Sequence, residues 1–172
     1  EIVKAVHKST DIATCYLPDP SRSLFKSDNN TRLLSSHYLA YLKVAEGCDK
    51  HCTYCIIPKL RGRFRSRPLE DILDEAKFLI DSGIKELILV AQDTMAYGKD
   101  LFSGETAGKL LDRIAGLSDD VWVRVLYGHP ESIDDDFIEV VGSHKNICSY
   151  FDIPIQHVST RVLKTMGRMY QK

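Results

Sequence analysis

Cys48, Cys52 and Cys55 fall within eight residues, separated by Asp49-Lys50-His51 and then by Thr53-Tyr54. Thiolates are soft ligands that select zinc, copper(I) or iron–sulfur clusters. Gaps of three and then two residues let one loop wrap around a single face of a cluster. A structural zinc would take a fourth protein ligand, usually from a second CxxC or a paired histidine. His51 and His37 are candidates for that place, but no second cysteine pair follows. Three ligands on a four-iron cluster would instead leave one iron open to a substrate or cofactor. The pair Cys52-x-x-Cys55 could also serve as a thioredoxin-like dithiol. Against this, Pro58 and the arginines and glycine after it read as a continuing loop rather than a helix. Ligand type and count favour the cluster and leave zinc and dithiol chemistry as alternatives. Cys15 and Cys148 stand alone and read as ordinary small residues. Five cysteines, an odd number, do not suit a disulfide framework, so the trio points to metal chemistry in a reducing compartment.

The elements that would carry this loop follow a repeating pattern. Residues 38–45 are aromatic and aliphatic and read as a strand that delivers the chain to the cysteines. A helix is predicted over 68–82, where Leu69, Ile72, Leu73, Ala76, Leu79 and Ile80 recur at helical spacing. Pro68 suits its first position and Gly83 the left-handed position that ends it. Residues 84–91 form a nearly continuous apolar run, as expected of a strand covered on both faces. A helix over 106–115, a strand over 121–127 and a helix over 131–141 come next, the last opened by Ser132 with Asp135 and closed by Gly142. A fourth strand is predicted over 150–155, with Pro154 at its end, and Ser159 opens a last helix through Leu163 and Met166. Four strand-then-helix units over residues 37–172 average about 34 residues each, the length of βα crossovers. The architecture expected is α/β: a partial (β/α) barrel of the TIM-like kind, stopping after about four units where eight would close it.

In such folds chemistry collects at the carboxyl ends of the strands. The four predicted ends are followed by Glu46-Gly47-Cys48, Gln92-Asp93-Thr94, Gly128-His129-Pro130 and Gln156-His157. Any one of these is what a solvated loop would hold anyway; four on one rim point to a shared site. Arg124 lies within a strand that otherwise reads as core, so it needs a partner: a bound carboxylate or a neighbouring acid.

Composition narrows the classes. Apolar residues make up 44% and charged residues 27% of the 172, enough for a core and unlike a disordered chain. The longest aliphatic run, Leu87 to Ala91, is far short of the roughly 20 residues of a membrane span, and no secretory signal opens the chain. Net charge is −1, although residues 1–67 carry 12 Lys/Arg against 6 Asp/Glu. A basic nucleic-acid-binding coat is not indicated. The run Lys59, Arg61, Arg63, Arg65, Arg67 suits either an anionic ligand or a solvated loop. Residues 1–36, broken by Pro18, Pro20 and several Ser and Asn, read as an irregular linker ahead of a domain over 37–172. The first residue is Glu1 rather than Met, so a piece of a longer protein is expected.

A strand ending in Glu46-Gly47 and followed by CxxxCxxC with Tyr54 resembles the radical S-adenosylmethionine enzymes. The surrounding residues resemble their methylthiotransferases: Cys55-Ile56-Ile57-Pro58, Arg61-Gly62, Ser66-Arg67-Pro68, Tyr97-Gly98, His129-Pro130 and Val162-Leu163-Lys164-x-Met166. Gln92-Asp93-Thr94-x-Ala96-Tyr97-Gly98 and Asp152-Ile153-Pro154-Ile155-Gln156-His157 are similar to the branch that modifies a ribosomal protein (RimO type); the transfer-RNA branch is the alternative. The resemblance implies a [4Fe–4S] cluster on Cys48, Cys52 and Cys55 whose open iron binds S-adenosylmethionine and whose electron yields a 5′-deoxyadenosyl radical. It implies methylthio transfer to the β-carbon of an aspartate in the twelfth small-subunit ribosomal protein, in the cytoplasm, with a flavodoxin-like or ferredoxin-like electron donor. It implies cofactor contacts for Tyr54, Gln92, Arg124 and Gln156, and structural roles for His129 and His157. Family members also carry a preceding domain with three cysteines for a second [4Fe–4S] cluster and a following small β domain. Neither is visible in this sequence, where residues 1–36 hold only Cys15.

Overall fold

The computed structural model describes residues 36–170. The expected linker over 1–36, all but its last residue, and Cys15 lie outside the described residues. In chain order the elements are β1 (Leu39–Lys43), β2 (Ala45–Glu46), α1 (Ile57–Arg61), β3 (Arg65–Ser66), α2 (Leu69–Asp81), β4 (Glu86–Val90), α3 (Ala107–Ala115), β5 (Trp122–Val125), α4 (Asp135–Ser143) and α5 (Thr160–Thr165). Short 3-10 turns at Thr94–Ala96 and Pro130–Ser132 follow β4 and β5.

Three strands form a parallel sheet in the order β1-β4-β5, with Leu42 beside Leu89 and Leu87 beside Val123. Parallel neighbours demand crossover helices. α2 and α3 supply them on one face, where Ile72, Ala76, Leu79, Leu110, Leu111 and Ile114 are buried with the strand residues in one core. Each fully buried Leu or Ile there contributes about 1.5–3 kcal/mol. α4 packs against α3. The result is an open segment of a (β/α) barrel, as the sequence pattern predicts.

Four local expectations shift. The first predicted strand divides: β1 joins the parallel sheet, while β2 leaves it to pair antiparallel with β3. The chain after the cysteines is not all loop, because Pro58, near the first position of α1, fits a helix start where no N–H is required. The helix predicted over 131–141 begins later, capped by Asp134, whose carboxylate accepts from Phe137 N at 2.9 Å. Ser132 is committed elsewhere, donating to Asp93 at 2.6 Å, and Gly142 lies inside the helix.

The fourth strand shrinks to a single parallel bridge between Val123 and Ile147, upstream of the predicted 150–155. Buried Asn146 explains the shift. Its side-chain amide donates to Ala115 O at 3.0 Å and Ser118 O at 2.9 Å. That fixes the chain against β5 early. Beyond it Tyr150, Phe151 and Ile155 are exposed, and Pro154 has no N–H for a ladder.

Candidate metal centre

The cysteine loop leaves the sheet through Gly47. This residue has φ +81°, and a Cβ there would stand 2.1 Å from Arg63 O, so only glycine lets the loop pass so close to the β3 side. Gly47 N donates to the Gln92 side-chain oxygen at 2.7 Å, which ties the start of the loop to the end of β4. Cys48 N donates to Gly62 O at 3.2 Å, and the Asp49 carboxylate accepts from Phe64 N at 3.0 Å. From the other side comes the end of α5. Thr53 N donates to Met166 O at 3.1 Å. Gly167, at φ +71°, approaches so closely that a Cβ would meet His51 O at 2.4 Å. Glu131 joins the two sides, accepting from Lys50 Nζ at 2.9 Å and from Met169 N at 2.8 Å.

Held this way, Cys48, Cys52 and Cys55 line one cavity of about 140 Å³ at the carboxyl ends of β4 and β5, with Gln92, Asp93, Tyr127, Gly128, His129, Pro154 and Arg168 in its walls. None of the three is in a disulfide. Burial pushes the Cys48 thiol up, and the nearby charges of Asp93, Cys52 and Cys55 act in the same direction against a hydrogen bond from Lys50 N. Deprotonating a thiol crowded in this way calls for a cationic partner. Among the described residues no three His, Cys, Asp or Glu side chains gather around the position of one metal ion. A single zinc draws its ligands to about 2.0–2.3 Å of one point, whereas a four-iron cube accepts each thiolate at a different iron.

Unsatisfied polar atoms lie in the same walls. His129 Nε2 and two guanidinium nitrogens of Arg168, Nε and Nη1, are buried without hydrogen-bond partners. His129 Nδ1 accepts from Glu131 N at 3.2 Å, so the neutral ring carries its proton on Nε2. Burial lowers its pKa to about 4, helped by the charges of Lys50 and Arg168 and opposed by Glu131, so it is neutral at pH 7. Beneath it Asp93 is raised by burial, although hydrogen bonds from Ser132 and His129 N pull the other way. Such orphaned donors beside thiols fit a bound group that accepts hydrogen bonds.

The expected cofactor residues separate. Gln92 lines the cavity. Tyr54 stands outside that lining; its hydroxyl accepts from Arg168 Nη2 at 2.7 Å. Gln156 is exposed with φ +59° and is not in the cavity wall. Arg124 is not brought there either: its Nε donates to Glu86 at 2.5 Å and its guanidinium lies 5.4 Å from the Tyr150 ring. The neighbouring acid, rather than a bound carboxylate, is its partner here. Of the basic run, Arg67 turns inward to pair with buried Glu75 at 2.6 Å, and Arg63 reaches Asp49 at 3.4 Å. His157 accepts from Ser159 N at 2.8 Å. His37 precedes β1, at the far end of the sheet from the cysteines. Sequence reasoning missed Arg168, Glu131 and Gly167; no spacing ties residues 167–169 to the cysteines, and only the Met166 region hinted at them.

Comparison with known proteins places these features. The chain is 48% identical over 170 residues to the ribosomal protein uS12 methylthiotransferase RimO of Desulfosudis oleivorans, covering 98% of this chain and 39% of that protein. It is 50% identical over 149 residues to the protein of the same name from Clostridioides difficile, covering 87% of this chain and 34% of that one. The chain thus spans about two fifths or less of the length of these curated relatives. Among solved structures, the radical S-adenosylmethionine methyltransferase TsrM from Kitasatospora setae, with tryptophan and an S-adenosylmethionine analogue bound, superposes with a TM-score of 0.62 at 19% identity, over 78% of this chain and 26% of that one. That likeness concerns the fold. The Radical SAM superfamily model matches residues 42–171, from β1 through the cysteine loop to the segment that clamps it. With three thiols gathered at the open end of a partial (β/α) barrel and a family match over that whole span, the chain belongs to the radical SAM superfamily.

Proposed function

We propose that this chain is the central part of a methylthiotransferase that modifies an aspartate β-carbon in ribosomal protein uS12, with Cys48, Cys52 and Cys55 holding a [4Fe–4S] cluster. The observation that carries the reading is the convergence of these three thiols, and no fourth cysteine among the described residues, on one cavity at the strand ends. The names of the relatives support the substrate assignment. When bound, the cluster supplies the electron that opens the sulfonium of S-adenosylmethionine.

The chain's own residues do the rest by placement. Gln92 lines the cavity as a polar contact for the cofactor while fixing Gly47. His129 offers a neutral N–H donor there. Tyr127, Gly128 and Pro154 form one wall of the cavity. Asp152 shapes this wall: its carboxylate accepts from Tyr127 N at 3.1 Å and its carbonyl from Gly128 N at 2.9 Å, holding Tyr127 at φ +62°. The electron donor is proposed to be a small flavodoxin-like or ferredoxin-like protein, and the setting cytoplasmic. No helix among the described residues is long and apolar enough to cross a membrane.

Anaerobic reconstitution of the chain tests the cluster. The expected result is a brown protein with four irons and four sulfides per chain, in the 4:4 ratio of the cluster, that releases 5′-deoxyadenosine under strong reductant, and a Cys52→Ala variant that does neither. A colourless protein with one tightly held zinc would refute it. Mass spectrometry of uS12 and of transfer RNA from cells lacking the gene tests the substrate; loss of modification on transfer RNA alone would overturn that assignment.

A further inference from the structure

Arg168 is 6% exposed, an unusual place for an arginine without a carboxylate partner. Its Nη2 donates to the Tyr54 hydroxyl at 2.7 Å, and its guanidinium carbon stands 6.0 Å from the Tyr54 ring. Nε and Nη1 have no hydrogen-bond partner among the described residues. The residue follows Gly167, whose contact with His51 O locks this segment to the cysteine loop, and its backbone N–H is taken by Leu163 O at 2.9 Å. Arg168 and the three cysteines line the same cavity. A buried cation with two unspent donors, held by a neighbouring hydroxyl beside a cavity that three cysteines also line, is placed to meet an electron-rich sulfur group.

We propose that Arg168 sets the reduction potential of the cluster held by Cys48, Cys52 and Cys55, its free N–H groups donating to the cluster's sulfurs and favouring the state with one more electron. The inference rests on the cluster reading above. In this role Arg168 touches the cluster itself, but neither the substrate nor the bond that breaks. Hydrogen bonds to the sulfurs and local charge are among the established levers on cluster potential. Tyr54 enters as the group that holds the guanidinium in place, in the position between two ligands where the sequence suggested a cofactor contact.

The test is a potentiometric titration of the anaerobically reconstituted chain without S-adenosylmethionine, followed by spectroscopy, with iron and sulfide counted first. Wild type lacking iron and sulfide would sink the cluster reading itself. Given a loaded wild type, Arg168→Gln should lower the midpoint so that the reduced fraction at a fixed poise falls about tenfold, equivalent to about 59 mV for one electron. Arg168→Lys, which keeps the charge, should change that fraction less than about threefold, a bound below the tenfold step. Tyr54→Phe keeps the arginine and removes its tether, so it should shift the midpoint the same way by less, and it decides the matter if Arg168→Gln fails to load. A loaded Arg168→Gln with the wild-type midpoint overturns the proposal. So does an unchanged midpoint in Tyr54→Phe where the Gln variant does not load, and so does an unchanged midpoint in Arg168→Gln with weakened S-adenosylmethionine binding, which would make Arg168 a cofactor-carboxylate contact.

Discussion

Gly167→Ala separates the clamp on the cysteine loop from the general stability of the fold. At φ +71° an alanine incurs about 1–2 kcal/mol of left-handed strain. Its Cβ would also stand 2.4 Å from His51 O, a backbone atom that cannot rotate away, so the loop must move. That movement breaks the bonds from Thr53 N to Met166 O and from Thr53 Oγ1 to Thr165 O, both 3.1 Å, each worth about 0.5–1.5 kcal/mol. The combined cost is about 3 kcal/mol, or about a hundredfold in the population of the ordered loop. Gly83→Ala is the control. Gly83 has φ +93° but nothing within 4 Å of the added carbon, so it incurs the strain alone. Urea denaturation should show both variants destabilised. Iron retention against a chelator after reconstitution should fall steeply only for Gly167→Ala. Equal retention in the two variants would refute the idea that residues 165–169 hold the cysteines in place.

Further outcomes follow from other contacts. Arg67→Ala removes the partner that buried Glu75 meets at 2.6 Å and should destabilise the chain in urea unfolding, whereas Arg67→Met with Glu75→Leu should recover most of the loss. Leu111→Ala, at a fully buried position against the sheet, should cost about 2–5 kcal/mol, read from the same curve. His129, with its pKa lowered to about 4, stabilises the fold while neutral; the unfolded chain takes up the proton first as pH falls from about 6.5. Stability should therefore drop between about pH 6.5 and 4, by at most about 3 kcal/mol. Asp93, raised by burial, slopes the other way, so the informative quantity is the difference between wild type and His129→Gln across that window, measured on the metal-free chain.

The sheet and its crossover helices were legible because they rest on periodicity: the unbroken run that became β4 and the helical spacing of Leu69, Ile72, Leu73, Ala76 and Leu79 each admit one reading. Elements fixed by polar side chains were not. Asn146 ends the crossover by satisfying carbonyls far away in sequence, and Ser132 leaves its predicted capping role for Asp93, neither of which periodicity encodes. The same division holds at the site. The cysteines announce themselves by spacing. Arg168 and Glu131 reach the loop across more than 80 residues of chain, through contacts that exist only once the strands are side by side. Arg124 shows the converse: a charge within a strand suggested either a bound carboxylate or a neighbouring acid, and Glu86 on the adjacent strand is that acid.

The loop that carries the cysteines contains no regular element between Gly47 and Ile57, yet it is fixed at Gly47 by Gln92, at Cys48 by Gly62, at Lys50 by Glu131 and at Thr53 by Met166. Side-chain acceptors from Gln92 and Glu131 and the backbone carbonyls of Gly62 and Met166 do the work that helical hydrogen bonds would do elsewhere. Metal binding to an unstructured peptide must include the cost of ordering the ligands, about 1–2 kcal/mol per backbone residue fixed. Here folding of the barrel segment has already met much of that cost. Iron loading should accordingly depend on contacts distant from the thiols, and weakening any one anchor should lower cluster retention before it lowers the melting of the sheet, since the anchors lie outside the apolar core that β1, β4 and β5 share with α2 and α3.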